Sequence, residues 1–306
     1  AYIDEVYQKH YDNLKEYFGN TLLGFFSDES CFGNNADSNE HRFYTDIGRC
    51  FFSYPWSDGV ADRFRELYGA DWLKNLLPLW FDFDKIPFRD YRYEYMNFVS
   101  SEYARCYTKK IADWCHEHGV AHIGHVIEDN NAHYRTGQGA GHYFRALGAQ
   151  DMSGVDVVLH QIVPGLTECA SAGLVCYEHM DNRFFNYTLA KLGSSLAHIT
   201  DHMHGRAMCE IFGAYGWAED TRIMKYLTDH MLVRGINYFV PHAFSPKEND
   251  ADCPPNFAAG GTNPQFKYFD RIIAYMNRMC GIMKHGVHVN TCAILYAAES
   301  EWTRAE

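Results

Sequence analysis

The sequence predicts an α/β fold built on parallel strands. Short apolar runs are too continuous for half-exposed strands, stretches of helical periodicity separate them, and the strands end on polar or acidic residues. Strand, loop and helix alternate five times in this way, which is the pattern of a parallel sheet with helical crossovers.

The elements follow in order. Residues 2–18 place Ile3, Val6, Tyr7, Leu14, Tyr17 and Phe18 near helical spacing, and Gly19 ends that helix. "LLGFFSDES" (22–30) is then a buried strand that stops on Asp28 and Glu29. A long polar stretch leads to "YPWSDGVADRFRELYG", where Ser57 or Asp58 can cap a helix ending at Gly69. A helix from about Tyr91 to His118, closed by Gly119, precedes "VAHIGHVIEDN", a second strand that again ends on acids, Glu128 and Asp129. "VDVVLHQIVPG" (155–165) is the third strand, ending near His160 and Gln161. A helix from Tyr177 to His204 leads to the fourth strand in "RAMCEIFGAYGW", which carries Glu210. A helix from Asp220 to Arg234 leads to the fifth, "INYFVPHAF", ending on His242. After a helix from about Gln265 to Lys284, "TCAILYAAESEW" reads as a sixth strand.

Composition narrows the function. The 306 residues include 22 Tyr, 21 Phe and 6 Trp and are 47% hydrophobic, enough for one large folded core. A formal net charge of -12 without a basic run argues against nucleic acid and anionic membrane as partners. No stretch approaches a membrane span, and the first residues lack the apolar centre of a signal peptide. Ten cysteines stand singly without a C-x-x-C pair, as reduced thiols do, and a cytoplasmic location is the expectation. "GQGAGH" (137–142) lacks the third glycine and acidic partner of a dinucleotide loop. Six strands do not close an eight-stranded barrel, so residues alone leave an open doubly wound sheet or a barrel lacking its first units.

Several stretches resemble a family. "YFGNTLLGFFSDES", "YPWSDGVADRFRELYGADWLKNLLPLWFD", "ADWCHEHGVAHIGHVIED", "HGRAMCEIFGAYGW" and "RGINYFVPHAFS" are similar to the catalytic barrel of bacterial glycoside hydrolase family 106 α-L-rhamnosidases, over residues 1 to about 290. Those enzymes carry Asp-Glu-Pro where this chain has Asp28-Glu29-Ser30, a Glu at the place of Glu210, and a glutamine-histidine motif where this chain has "GHVIED". The resemblance implies a (β/α)8 TIM barrel, incomplete in this chain, whose strands would be four to eight. Residues 1–290 would then be the partial catalytic domain and 291–306 the first strand of a following one. It also implies carboxylates on strands four and seven, as in clan A glycosidases; no cofactor is expected, and calcium enters only as an ion the resembling family uses, without a calcium-loop motif in this chain.

Glycoside hydrolysis needs one carboxylic acid to protonate the leaving oxygen and one carboxylate across the ring. Glu29 and Glu210 are the expected pair, with Glu128 the competitor for the second place. Asp28 and Asp129 have the opposite strand parity and are expected to face away from the barrel axis, orienting their neighbours. Trp56, Tyr215 and Trp217 could stack on a sugar, as could Tyr54, while His160 and His242 could bind hydroxyls. The expected partner is an oligosaccharide or glycoside. The open edge of the first strand calls for cover by another segment or a second copy of the chain. Two other classes remain open: a metal-dependent hydrolase using His198, His202 and His204, and a non-catalytic carbohydrate-binding barrel.

Overall fold

The computed structural model describes residues 1–32, 54–85, 87–127, 139–165, 182–247, 250 and 255–304. Glu128 and Asp129, and most of the long polar stretch after the first strand, lie outside these residues.

The order is α1 (Tyr2–Glu5), α2 (Tyr7–Leu14), β1 (Gly24–Ser30), α3 (Asp58–Tyr68), α4 (Phe88–Tyr103), α5 (Lys109–Glu117), β2 (Ala121–Val126), α6 (Tyr143–Leu147), β3 (Ser153–Val157), α7 (Ala190–Ile199), β4 (Ala207–Ile211), α8 (Thr221–Leu232), β5 (Tyr238–Pro241), α9 (Phe269–Lys284) and α10 (Ala298–Trp302). The expected helix ends are where the local chemistry put them. Ser57 occupies the N-cap of α3 and Gly69 follows it with φ +60°, while the Asp220 side chain accepts from the N–H groups of Arg222 and Ile223 at the start of α8. Helices α4 and α5 run on through a single π-helical stretch, Ala104–Thr108.

All strand pairings are parallel. β1 pairs with β2, and β3, β4 and β5 form a second ladder in that order. The expected continuous succession is therefore divided between β2 and β3, although these two strands are neighbours. A Cβ on Gly154 would lie 1.8 Å from the Gly124 carbonyl oxygen, and Asp151 joins the strands through its own N–H to the His122 carbonyl and its carboxylate to the His122 N–H, each 2.8 Å. The result is an open arc of short parallel strands flanked by helices, a mixed α/β fold without a closed barrel among the described residues.

The main core lies between β3 and β4 and helices α6 to α9, with Val155, Val157, Cys209, Ile211, Leu227 and Ile236 fully buried. A second cluster joins α3 and α4 to α10, and a third sets Tyr7, Trp114 and Phe25 between α2, α5 and β1.

One expectation is corrected. Residues 291–297 are not a strand: Ile294 and Leu295 are about nine-tenths exposed and pair with nothing in a ladder, and the chain turns into α10, whose Trp302 is buried with its indole N–H donating to the Gly141 carbonyl at 2.8 Å. An apolar run makes a strand only where a neighbour supplies the other half of its hydrogen bonds. The outer edge of β1 meets no strand among the described residues. Among the described residues no helix is long and apolar enough to cross a membrane.

Candidate functional site

The carboxyl ends of β1, β2 and β4 bring three side chains together. His125 of β2 is fully buried, and its Nε2 lies 3.2 Å from Asp28 Oδ1 and 3.1 Å from Glu210 Oε2. Its Nδ1 lies 3.2 Å from the Val126 carbonyl oxygen, an acceptor, so this nitrogen carries a proton and Nε2 is turned to the two acids. The imidazole is the nearest positive partner for Asp28: its hydrogen bond and charge, with that of His242 further off, hold the Asp28 carboxyl below the usual range against the opposing effect of burial.

Beyond Asp28, β1 ends in an irregularity. Ser27 pairs with Gly124 and Ser30 with Val126, so β1 uses three steps where β2 uses two. Such a bulge breaks the alternation of side chains, and the φ of +40° at Glu29 marks where the backbone absorbs it. The expectation that Asp28 faces away fails because Ser27 turns to the other side, its Oγ 2.9 Å from His122 Nε2, while Phe26, two residues before Asp28, packs on the His125 ring. Glu29, half-buried at the strand's end, stands outside the group that Asp28, His125 and Glu210 form.

Glu210 sits in β4 opposite Asp156 of β3 and is nearly buried. A simple ion pair with the adjacent Arg206 is not what holds it: that guanidinium is spent on the carbonyl oxygens of Met203, Asp151 and His202. The loop leaving β4 is conformationally costly, with Phe212 at φ +83° and Ala214 at +53°. The turn after β3 matches it, with Leu159 at +53° and His160 at +60°. Residues forced into the left-handed region concentrate where function over-determines the backbone, and here they ring the strand ends.

The remaining predicted residues divide. His242 packs over Gly213, where a Cβ would meet its ring at 3.3 Å, and lies close enough to act on Asp28. The His160 ring packs on Tyr215 with centroids 4.9 Å apart, and burial lowers its basicity. Tyr215 itself is core: it is buried and its hydroxyl bonds both the N–H and the carbonyl of Ile162. Tyr54 is also buried, donating to the Leu79 carbonyl. Trp217 and Trp56 are both about half exposed, Trp217 in the loop after Glu210 and Trp56 stacked on Trp72. The histidines after α7 do not converge. His198 stacks on His288 and His202 bonds the Gln150 carbonyl, and among the described residues they form no ligand set.

His125 is the member that sequence reasoning passed over. Its signal was present in "AHIGHV": a histidine in a buried strand has to spend its two nitrogens on something.

With this geometry in view, the comparison with solved structures is informative. The fold resembles part of a rhamnosidase. The structure of the rhamnosidase from Novosphingobium sp. PP1Y matches with a TM-score of 0.54 over 93% of this chain, at 15% sequence identity. The chain spans 24% of that protein's length. No family model matches the sequence, and no curated protein does. At this identity the likeness is one of fold.

The donor chemistry of the site can be set against calcium, the ion that the sequence resemblance implies. Calcium takes six to eight oxygen ligands. The described group offers two carboxylates and an imidazole nitrogen, all within 4.8 Å of one another, and does not fit that demand.

Proposed function

We propose that this chain is the catalytic part of a glycoside hydrolase, with β1 and β4 in the places of strands four and seven of a (β/α)8 barrel. The observation that carries the reading is the convergence of acids from β1 and β4 at the carboxyl ends of parallel strands, around a buried histidine. Glu210 is the carboxylate that faces the anomeric carbon, as nucleophile or as base for water. Asp28 is not its partner across the bond, because the imidazole of His125 already fills the space between them and leaves no room for a sugar. Asp28 and His125 instead fix the orientation of Glu210, and Glu29, one residue on at the strand's end, is the acid. Trp217, in the loop that follows Glu210 in sequence, offers an exposed face on which a sugar ring can stack.

A panel of nitrophenyl glycosides and their natural counterparts tests this in the protein that carries the chain. Glu29→Gln should lower turnover of substrates with poor leaving groups by about 100-fold or more while sparing activated ones, because only the former depend on protonation. Glu210→Gln should abolish both. Equal loss on both classes for Glu29→Gln removes it from the acid role, and a protein that binds sugars but turns none over is a carbohydrate-binding barrel.

A further inference from the structure

The same three side chains have the arrangement of a metal centre, and one for a different ion than the resemblance implies. Two ligand atoms about 2.1 Å from one ion, subtending an angle of about 95°, lie about 3.1 Å apart. His125 Nε2 lies 3.1 Å from Glu210 Oε2 and 3.2 Å from Asp28 Oδ1. Three donors from β1, β2 and β4 thus stand together, all within 4.8 Å of one another, at spacings one ion can span.

The surroundings agree with this. A ligating histidine usually anchors its other nitrogen on a carbonyl or carboxylate, which fixes the ring and turns the lone pair to the ion, and Nδ1 of His125 meets the Val126 carbonyl in this way. Charge points the same way. The two acids bring their carboxylates to a fully buried ring, and a divalent cation offsets the charge of both. Among the described residues the Asp28 side chain is 69% exposed, while those of His125 and Glu210 are buried.

We propose that Asp28, His125 and Glu210 bind one divalent transition-metal ion of the zinc or manganese class, in preference to calcium. One nitrogen and two oxygens suit such ions, whereas calcium and magnesium favour oxygen alone. The ion would lock the carboxylate of Glu210 in place. The proposal concerns the site on which the glycosidase reading rests, but it is read from binding and not from turnover, so either can fail alone.

Cobalt(II) serves as the optical probe. Metal-free protein titrated with cobalt should show one equivalent of saturable binding with visible absorption, displaced by zinc and indifferent to millimolar calcium. Asp28→Asn, an isosteric change at an exposed position, and His125→Gln should each weaken binding by at least about 100-fold. Circular dichroism of the metal-free variants checks that they fold, and the exposed variant keeps the test decisive if the buried one does not. Both retain the exposed thiols of Cys106 and Cys292, so thiol binding would persist unchanged in them. Unchanged stoichiometry and affinity in folded Asp28→Asn overturns the proposal, as does the absence of saturable binding or displacement of cobalt by calcium at comparable concentration.

Discussion

Glu219 breaks the rule that a buried acid is paired. It is 1% exposed, neither carboxylate oxygen has a hydrogen-bond partner, and burial together with the neighbouring Asp220 raises its pKa to about 9. The folded protein therefore keeps this proton over a range in which the unfolded chain releases it. The linkage has a definite sign: the stability associated with Glu219 is full below pH 4.5 and is lost progressively as pH rises to about 9. At pH 7 this amounts to about 3 kcal/mol, at about 1.4 kcal/mol per pH unit. Glu219→Gln removes the dependence. Denaturant unfolding of the variant and the parent should show a stability difference that grows in the variant's favour from pH 5 to pH 9. A constant difference would mean that Glu219 finds a partner on ionising.

The strands are held by close backbone approaches, and two glycines decide whether they can be made. Gly124 has φ +149°, and a Cβ there would lie 2.1 Å from the Ser27 carbonyl oxygen. On the other side, the Gly124 carbonyl oxygen lies where a Cβ of Gly154 would be. One residue thus sets the spacing of β1 to β2 and of β2 to β3, and with it the position of His125, its neighbour. Gly124→Ala combines a strained backbone with a clash against main chain that cannot rotate away. Urea unfolding should show a loss of about 3 kcal/mol or more, or no folded protein at all. A loss below about 1 kcal/mol would show that the strands can separate here without cost. The irregularity in β1 works through the same contact, since its register shift begins at Ser27, which faces Gly124.

Across the whole molecule, α10 joins elements far apart in sequence. Trp302 is fully buried in the cluster of α3 and α4, the Arg145 guanidinium lies 5.1 Å from the centre of its ring, and Arg92 reaches the Thr303 carbonyl. Its indole also holds the Gly141 carbonyl, which lies in the segment between β2 and α6 that follows Glu128 and Asp129 in sequence. Trp302→Ala should cost about 3–5 kcal/mol by the usual measure of a large aromatic removed from a core. It should also free the segment from residue 139 to α6. Hydrogen exchange there should rise in the variant while the amides of β3 and β4 stay protected, and uniform loss of protection would instead mean that Trp302 supports the molecule as a whole.

The alternation of elements was legible from residues 2 to 284 because it depends on local chemistry. Gly19, Gly69 and Gly119 adopt positive φ at the helix ends, Ser57 stands at the N-cap position of α3, Asp220 caps α8 with its side chain, and each of the five strands lies within or beside its apolar run. The acidic strand ends were legible for the same reason, since an apolar run that stops on carboxylates shows it in the letters. Which carboxylate turns inward was not. Parity favoured Glu29 over Asp28, but Ser27 packs towards His122 while Asp28 shares the side of Phe26 and His125, and which side of a strand its helices cover is decided by the fold. The fate of residues 291–297 was hidden likewise: the run has strand composition, but a strand exists only with a partner, and here the chain turns away to bury Trp302. His125 gained its meaning from two acids that are 97 and 85 residues away in sequence by their numbering, Asp28 and Glu210. Local propensity and capping act within a few residues and are written in order along the chain, whereas register, close packing and the meeting of charges are properties of segments brought together by folding.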